Sequence, residues 1–203
     1  MLVNINYGKK MTLSKRQKQI VQAALELTAE GGLGNLTIKN LAARLGVTEP
    51  ALYRHFDSKS AIVNAMIDDF SRRGDSAFVQ CGGRGNGGWS GIENFIRSRI
   101  QLILEDPPLA KVMFAEELFW NDSSNAETFQ MMMHRHKQLI VELLEEAQKR
   151  GECRSDIAMN MQFRILMGPV RLLVKQWGLS GMAFDLKQVG EELIQDLHLV
   201  FQE

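Results

Sequence analysis

Residues 37–56 read Thr-Ile-Lys-Asn-Leu-Ala-Ala-Arg-Leu-Gly-Val-Thr-Glu-Pro-Ala-Leu-Tyr-Arg-His-Phe, and no other stretch restricts the fold as strongly. Ile38, Leu41, Ala42 and Leu45 recur at helical spacing behind Thr37, a good N-cap. Gly46 breaks that helix, because glycine takes the positive φ of a tight turn without steric cost. Thr48 caps a further short helix, expected to run to about Phe56. Its Pro50 falls in the first turn, where a missing N–H costs no hydrogen bond. Ala42 is small where a second helix must cross closely. Val47, Leu52 and Phe56 are expected to fasten the later helix inward. Glu49, Pro50, Tyr53 and Arg54 are then left on its outer side. Two short helices joined in this way form a helix-turn-helix. An outward side carrying planar and hydrogen-bonding groups suits a major groove.

The remainder of the chain is also helical in pattern. Aromatic residues are scarce at 7% and only four residues are proline, which favours helix over strand. Ser14-Lys15-Arg16-Gln17 has the form of a capping box and opens a first helix, expected to stop at Gly31-Gly32. Ser58 caps a fourth. The glycine-rich stretch 81–91 reads as a loop, since a phosphate cradle would need GK[ST] and a preceding strand. Ser90-Gly91-Ile92-Glu93 is expected to cap a helix that Pro107-Pro108 stops, and a helix over about 107–119 follows. Ser124 is expected to cap a long helix ending at Gly151. Asp156 is expected to cap one reaching Trp177 with a kink at Gly168-Pro169, and Asp185 the last. The expectation is an all-α chain of about nine helices. An N-terminal three-helix helix-turn-helix unit over 1–60, ordered from about 12, precedes a C-terminal helical domain over 61–203.

Charge divides along the same line. Overall it balances, but residues 1–60 hold nine Lys/Arg against four Asp/Glu, and the excess of acid lies in 61–203. A basic head on an acidic body fits a protein that meets nucleic acid with one end; a solvated charged face accounts for the same numbers. Cys81 and Cys153 form no CxxC, so no disulfide framework is expected and the chain reads as cytoplasmic. No run approaches the ~20 apolar residues of a membrane helix, so no membrane partner is expected. Met11 is a candidate alternative start. Enzyme chemistry finds no foothold. His134 and His136 point to different faces of a helix, against a shared metal. HExxH and GxSxG are absent, and adjacent Glu116-Glu117 cannot face each other. No cofactor or metal is implied.

Residues 14–66 resemble the DNA-binding domain of the TetR (tetracycline-repressor-like) family. The likeness rests on Thr37-Ile38 to Leu41-Ala42, on Leu45-Gly46-Val47, and on Leu52-Tyr53-Arg54-His55-Phe56 followed by Ser58-Lys59. It implies a DNA-binding regulator, a homodimer on a near-palindromic double-stranded operator, and usually a repressor released by an unknown small apolar or amphipathic effector. Nucleoid-occlusion factors share an Ala-Leu-Tyr-Arg-His-Phe-like segment, so an effector-independent, partner-recruiting protein on DNA is the alternative. The DNA-binding candidates are Thr37, Lys39, Thr48, Glu49, Pro50, Ala51, Tyr53, Arg54, His55 and Lys59. Thr37 and Lys59 suit phosphate, Lys39 and Arg54 either a base edge or phosphate, Tyr53 and His55 phosphate clamps. Glu49 suits a cytosine amino group, and Pro50 with Ala51 a thymine methyl. The core of the head is an alternative place for Tyr53 and His55.

The body is dense in Met and aromatic residues, which form either adaptable pockets or a plain helical core. The resemblance implies a ligand site there, with Arg99, Met113, Phe114, Glu117, Trp120, Met132, Phe163, Met167 and Arg171 as candidates. It also implies that the apolar faces of the last two long helices, with Ile157, Met161, Ile165 and Leu172 in one and Leu186, Val189, Leu193, Leu197 and Val200 in the other, form a dimer interface.

Overall fold

A computed structural model describes residues 13–112 and 122–202. Among them are nine helices and no strand: α1 (Lys15–Asn35), α2 (Ile38–Leu45), α3 (Glu49–Tyr53), α4 (Lys59–Gln80), α5 (Gly88–Glu105), α6 (Pro108–Val112), α7 (Ser123–Lys149), α8 (Met159–Leu179) and α9 (Leu186–Phe201). The expected all-α architecture stands.

Local chemistry starts most of these helices as the sequence indicates. Ser14 and Gln17 exchange hydrogen bonds, Gln17 N donating to Ser14 Oγ at 3.2 Å and Ser14 N to Gln17 Oε1 at 3.0 Å. Thr37 accepts from Asn40 N at 3.0 Å, Ser58 from Ala61 N at 3.0 Å, and Asp185 from Lys187 N and Gln188 N. Regular geometry in α1 breaks at Gly31-Gly32 as expected, and a further turn carries the helix to Asn35.

Four expectations need correction. Ser90 does not cap α5. That helix begins at Gly88, the Ser90 hydroxyl donates to Gly87 O, and Trp89 N–H is taken by Glu152 at 2.8 Å. Gly88 and Gly91 are therefore helical rather than loop. Ser124 yields to Asp122, whose carboxylate accepts from both Ser124 N and Asn125 N. Asp156 is held by Arg154 at 2.6 and 2.7 Å, and α8 starts after Ala158 with no side-chain cap. Finally, α3 ends at Tyr53, short of Phe56. The helix α8 runs on through Gly168 and Pro169 to Leu179. Most of the span expected as a helix over 107–119 lies outside the described residues; α6 is its described part.

One apolar core runs from the head into the body, from Ile20, Leu41 and Leu52 through Ile62 and Phe70 to Phe95, Leu144 and Ile194. The helix α4 connects the two regions, packing against α1 and against α5 and α7. In turn α5 contacts α7 and α9, and α8 contacts α6 and α9. A buried carboxylate bolts this junction. Asp106, just past α5, accepts from Arg73 of α4 at 2.6 Å and from Gln22 of α1 at 3.1 Å.

Candidate nucleic-acid interface and body site

The geometry of the head follows from one turn. Gly46 ends α2 at φ +64°, and Val47 N–H returns to Ala42 O at 3.0 Å. That reversal sets α3 across α2. Leu52 (1% exposed) and Phe56 are buried in the core, and Val47 is packed against it. Gln17 of α1 donates to His55 O at 3.1 Å, fixing the end of α3 from the other side. With its inner side held, α3 turns Glu49, Pro50, Tyr53 (48% exposed) and Arg54 to solvent, and His55 beyond it is exposed too. Ala51 is half-buried. Thr37, Lys39, Thr48 and Lys59 are also exposed. Burial of Tyr53 and His55 in the head core, the alternative open from sequence, is not what the structure has.

Arg44 and Lys59 of the head are each held by α1. Arg44 bridges Glu26 at 3.3 Å and Glu30 at 2.6 Å, joining α2 to α1. Lys59 Nζ donates to Leu33 O at 3.1 Å. Lys59 also borders a cleft of about 390 Å³ between the end of α1 and the starts of α4 and α7. Ser60 donates to Asn125 there, and Asn64 to Ser124, at 2.9 Å each.

The body candidates do not converge on one cavity. Met113, Phe114, Glu117 and Trp120 lie outside the described residues. Met132 is buried on α7; Phe163, Met167 and Arg171 are half-buried on α8. The cleft above contains none of them, nor does a groove of about 270 Å³ between α8 and α9 walled by Pro169, Leu172, Val189 and Leu193. Exposed apolar side chains surround that groove's helices, Met161 and Leu172 on α8 and Leu199 and Val200 on α9.

Arg99 differs from the rest. Its side chain on α5 is buried, and its guanidinium lies over the Phe95 ring at 4.4 Å. None of its three nitrogens has a hydrogen-bond partner among the described residues. The nearest described carboxylate is Asp75, at 4.0 Å from Nη2, too long for a hydrogen bond. Burial lowers the Arg99 pKa to about 10, with Asp75 opposing. His136 of α7 packs edge-on against the same Phe95 ring and against Phe70, and its Nε2 is buried without a partner among the described residues. Burial, then the charges of Arg99 and Arg135, hold the His136 pKa well below its ordinary value. Sequence reasoning missed His136, having weighed it only as a metal ligand beside His134. Its i,i+4 relation to Met132, a position already taken as inward, was the available signal.

The family described as bacterial regulatory proteins of the tetR family matches residues 20–66. That described as the C-terminal region of YsiA-like protein matches residues 89–200. The class A tetracycline repressor of Escherichia coli is 47% identical over 49 residues, 24% of this chain and 23% of that protein. The chain thus spans about a quarter of the length of the tetracycline repressors it matches. The transcriptional repressor KstR2 of Rhodococcus jostii is 23% identical, covering 89% of this chain and 88% of its own. The nucleoid occlusion factor SlmA of Yersinia enterocolitica is 33% identical across 48% of this chain and 39% of its own. Among solved structures, the fatty acid degradation regulator FadR of Bacillus halodurans superposes with a TM-score of 0.79 at 19% identity, covering 91% of this chain and 95% of that one. FadR of Bacillus subtilis in complex with stearoyl-CoA has a TM-score of 0.76 at 18% identity, covering 89% and 96%.

Proposed function

The chain belongs to the TetR family of bacterial regulatory proteins, and from that membership we propose that it is a transcriptional repressor that binds a near-palindromic DNA operator as a homodimer and is released by a small apolar or amphipathic effector. One observation carries the DNA half of this reading: α3 is anchored by Leu52 and flanked by buried Phe56 while Glu49, Pro50 and Tyr53 stand clear of the protein. A groove can approach that side. Within it Glu49, Pro50 and Ala51 meet base edges, Arg54 a guanine or a phosphate, and Thr37, Thr48, Tyr53, His55 and Lys59 the backbone, with Lys39 at the groove rim. The division of the chain into a reading head (1–60) and a sensing, dimerising body (61–203) belongs to the same proposal.

The FadR neighbours, one named for fatty acid degradation and one holding stearoyl-CoA, support an effector of apolar or amphipathic kind. Arg99, Met132, Phe163, Met167 and Arg171, with Met113, Phe114, Glu117 and Trp120, are the candidates to line its site. The exposed apolar side chains of α8 and α9 support pairing of two chains, which places two heads on half-sites about one helical turn or a multiple apart. The identity to SlmA favours a second reading, a DNA-bound protein that recruits a partner without an effector.

Selection of bound DNA from a random pool tests the proposal. A two-fold-related site is expected, and recovery of single, unpaired half-sites would remove the dimer. On the selected site, Tyr53→Ala should weaken binding about tenfold without lowering the melting temperature. Lys39→Ala, if the lysine meets phosphate, should reduce the salt slope by about 1. Unchanged affinity in both variants would refute the assigned contacts. Hydrophobic ligands that stabilise the protein and lower DNA affinity support release. Many genomic sites and a polymer-forming partner support the second reading.

A further inference from the structure

Arg99 is the polar group hardest to explain as packing alone. Its nitrogens are shielded from solvent, and each has lost water hydrogen bonds without gaining a replacement among the described residues. Such groups are rare in folded proteins because each unmade bond costs free energy. The fold nevertheless makes room for this one. A Cβ on Gly74 of α4 would stand 1.5 Å from Arg99 Nη1, so the guanidinium can occupy its place only because residue 74 has no side chain. His136, against the same Phe95 ring and Phe70, adds one more buried nitrogen with no partner among the described residues. The nearby Arg135 donates to Ser71 of α4, so α7 brings a second cation to this junction. Among the described acids facing it, Asp75 offsets part of the charge, and Asp68 lies within electrostatic reach of Arg135.

We propose that Arg99 and His136 form the binding point for the carboxylate of an otherwise apolar effector, an inference that rests on reading the protein as an effector-released regulator. The guanidinium fork matches the flat carboxylate and can donate to both its oxygens. The neutral imidazole can donate through Nε2. Phe70 and Phe95 form an apolar surround for what is attached to the carboxylate. Because α4, α5 and α7 meet here and α4 also packs on α1, an anion drawn in would act on the helix that joins the body to the head.

The full chain is titrated near neutral pH, at fixed ionic strength, with acetate, hexanoate and dodecanoate and with hexanol and dodecanol. Melting temperature and heat of binding are followed. The stabilisation should grow from acetate to dodecanoate. Each longer acid should bind at least about tenfold more tightly than the alcohol of its length, the ratio one charge-assisted hydrogen bond supports. Arg99→Gln should bring that ratio below about two, and Arg99→Lys, which keeps charge but loses the fork, should leave it between. Equal wild-type affinities for acid and alcohol, or no shift from any of the acids, overturn the proposal without relying on a variant that folds. Release of selected DNA is measured alongside. Acid-selective binding that leaves DNA affinity unchanged keeps the anion site and removes effector release. Release by alcohols as effective as by acids keeps effector release and removes the anion site.

Discussion

His136, half-buried with its Nε2 sealed from solvent, and buried Cys153 are titratable groups, and each gives a chemical handle on the fold. The depressed pKa of His136 means that the unfolded chain takes up a proton before the folded one does. Stability present above the ordinary histidine pKa of about 6.5 is therefore lost as pH falls below it. Stability in urea unfolding should therefore fall from about pH 7.5 to pH 5.5, and His136→Gln should flatten that slope. Parallel slopes in the two proteins would contradict the sealed, neutral imidazole. Burial first, then the charge of Glu152, raises the Cys153 thiol to about 11. Thiolate is the reactive form, so a thiol reagent at mildly alkaline pH should modify half-exposed Cys81 and spare Cys153 until denaturant is added. Equal reaction rates would show that Cys153 is accessible. At this scale the sequence told inside from outside on α3 correctly, because Leu52 and Tyr53 are neighbours on a short amphipathic turn. It had no means of finding that Arg44 is spent on Glu26 and Glu30, since those partners lie more than ten residues away.

Helix ends show where local pattern decides and where it does not. Gly46 sits at φ +64° with open space where a Cβ would go. Gly46→Ala should therefore cost only the left-handed backbone penalty, about 1 kcal/mol in urea unfolding, and keep the fold. A loss several times larger would mean that the turn bears a contact not seen at the site. Gly74→Ala is a different case, since its Cβ would meet the Arg99 guanidinium. It should destabilise more than Gly46→Ala unless Arg99 moves out, and the order of the two melting temperatures checks this. The caps at Ser14, Thr37, Ser58 and Asp185 were legible because a hydroxyl or carboxylate competes there with no better acceptor. Those expected at Ser90, Ser124 and Asp156 failed for identifiable reasons. Glu152 supplies the acceptor at the start of α5, Asp122 precedes Ser124, and Arg154 holds the Asp156 carboxylate. A short cap pattern does not record which of several acceptors lies nearer in space.

On the scale of the whole molecule, the proposed pairing of two chains rests on apolar surface of α8 and α9. Leu172 is 55% exposed beside the groove between these helices. Leu172→Glu should shift the sedimentation of the protein from dimer toward monomer and weaken operator binding together, because two linked heads bind far better than one. A dimer that persists in Leu172→Glu would place the contact elsewhere. The amino-acid order alone determined the helical class, the turn at Gly46 and the outward side of α3, since all three depend on contacts within a few residues and on the period of the helix. Tertiary structure alone decided that α4 ties head to body, that Asp106 joins α1 to α4, and that Arg99 and His136 share one aromatic wall. Those pairings unite residues distant along the chain, and helical periodicity states which side of a helix is buried but not which other helix will cover it.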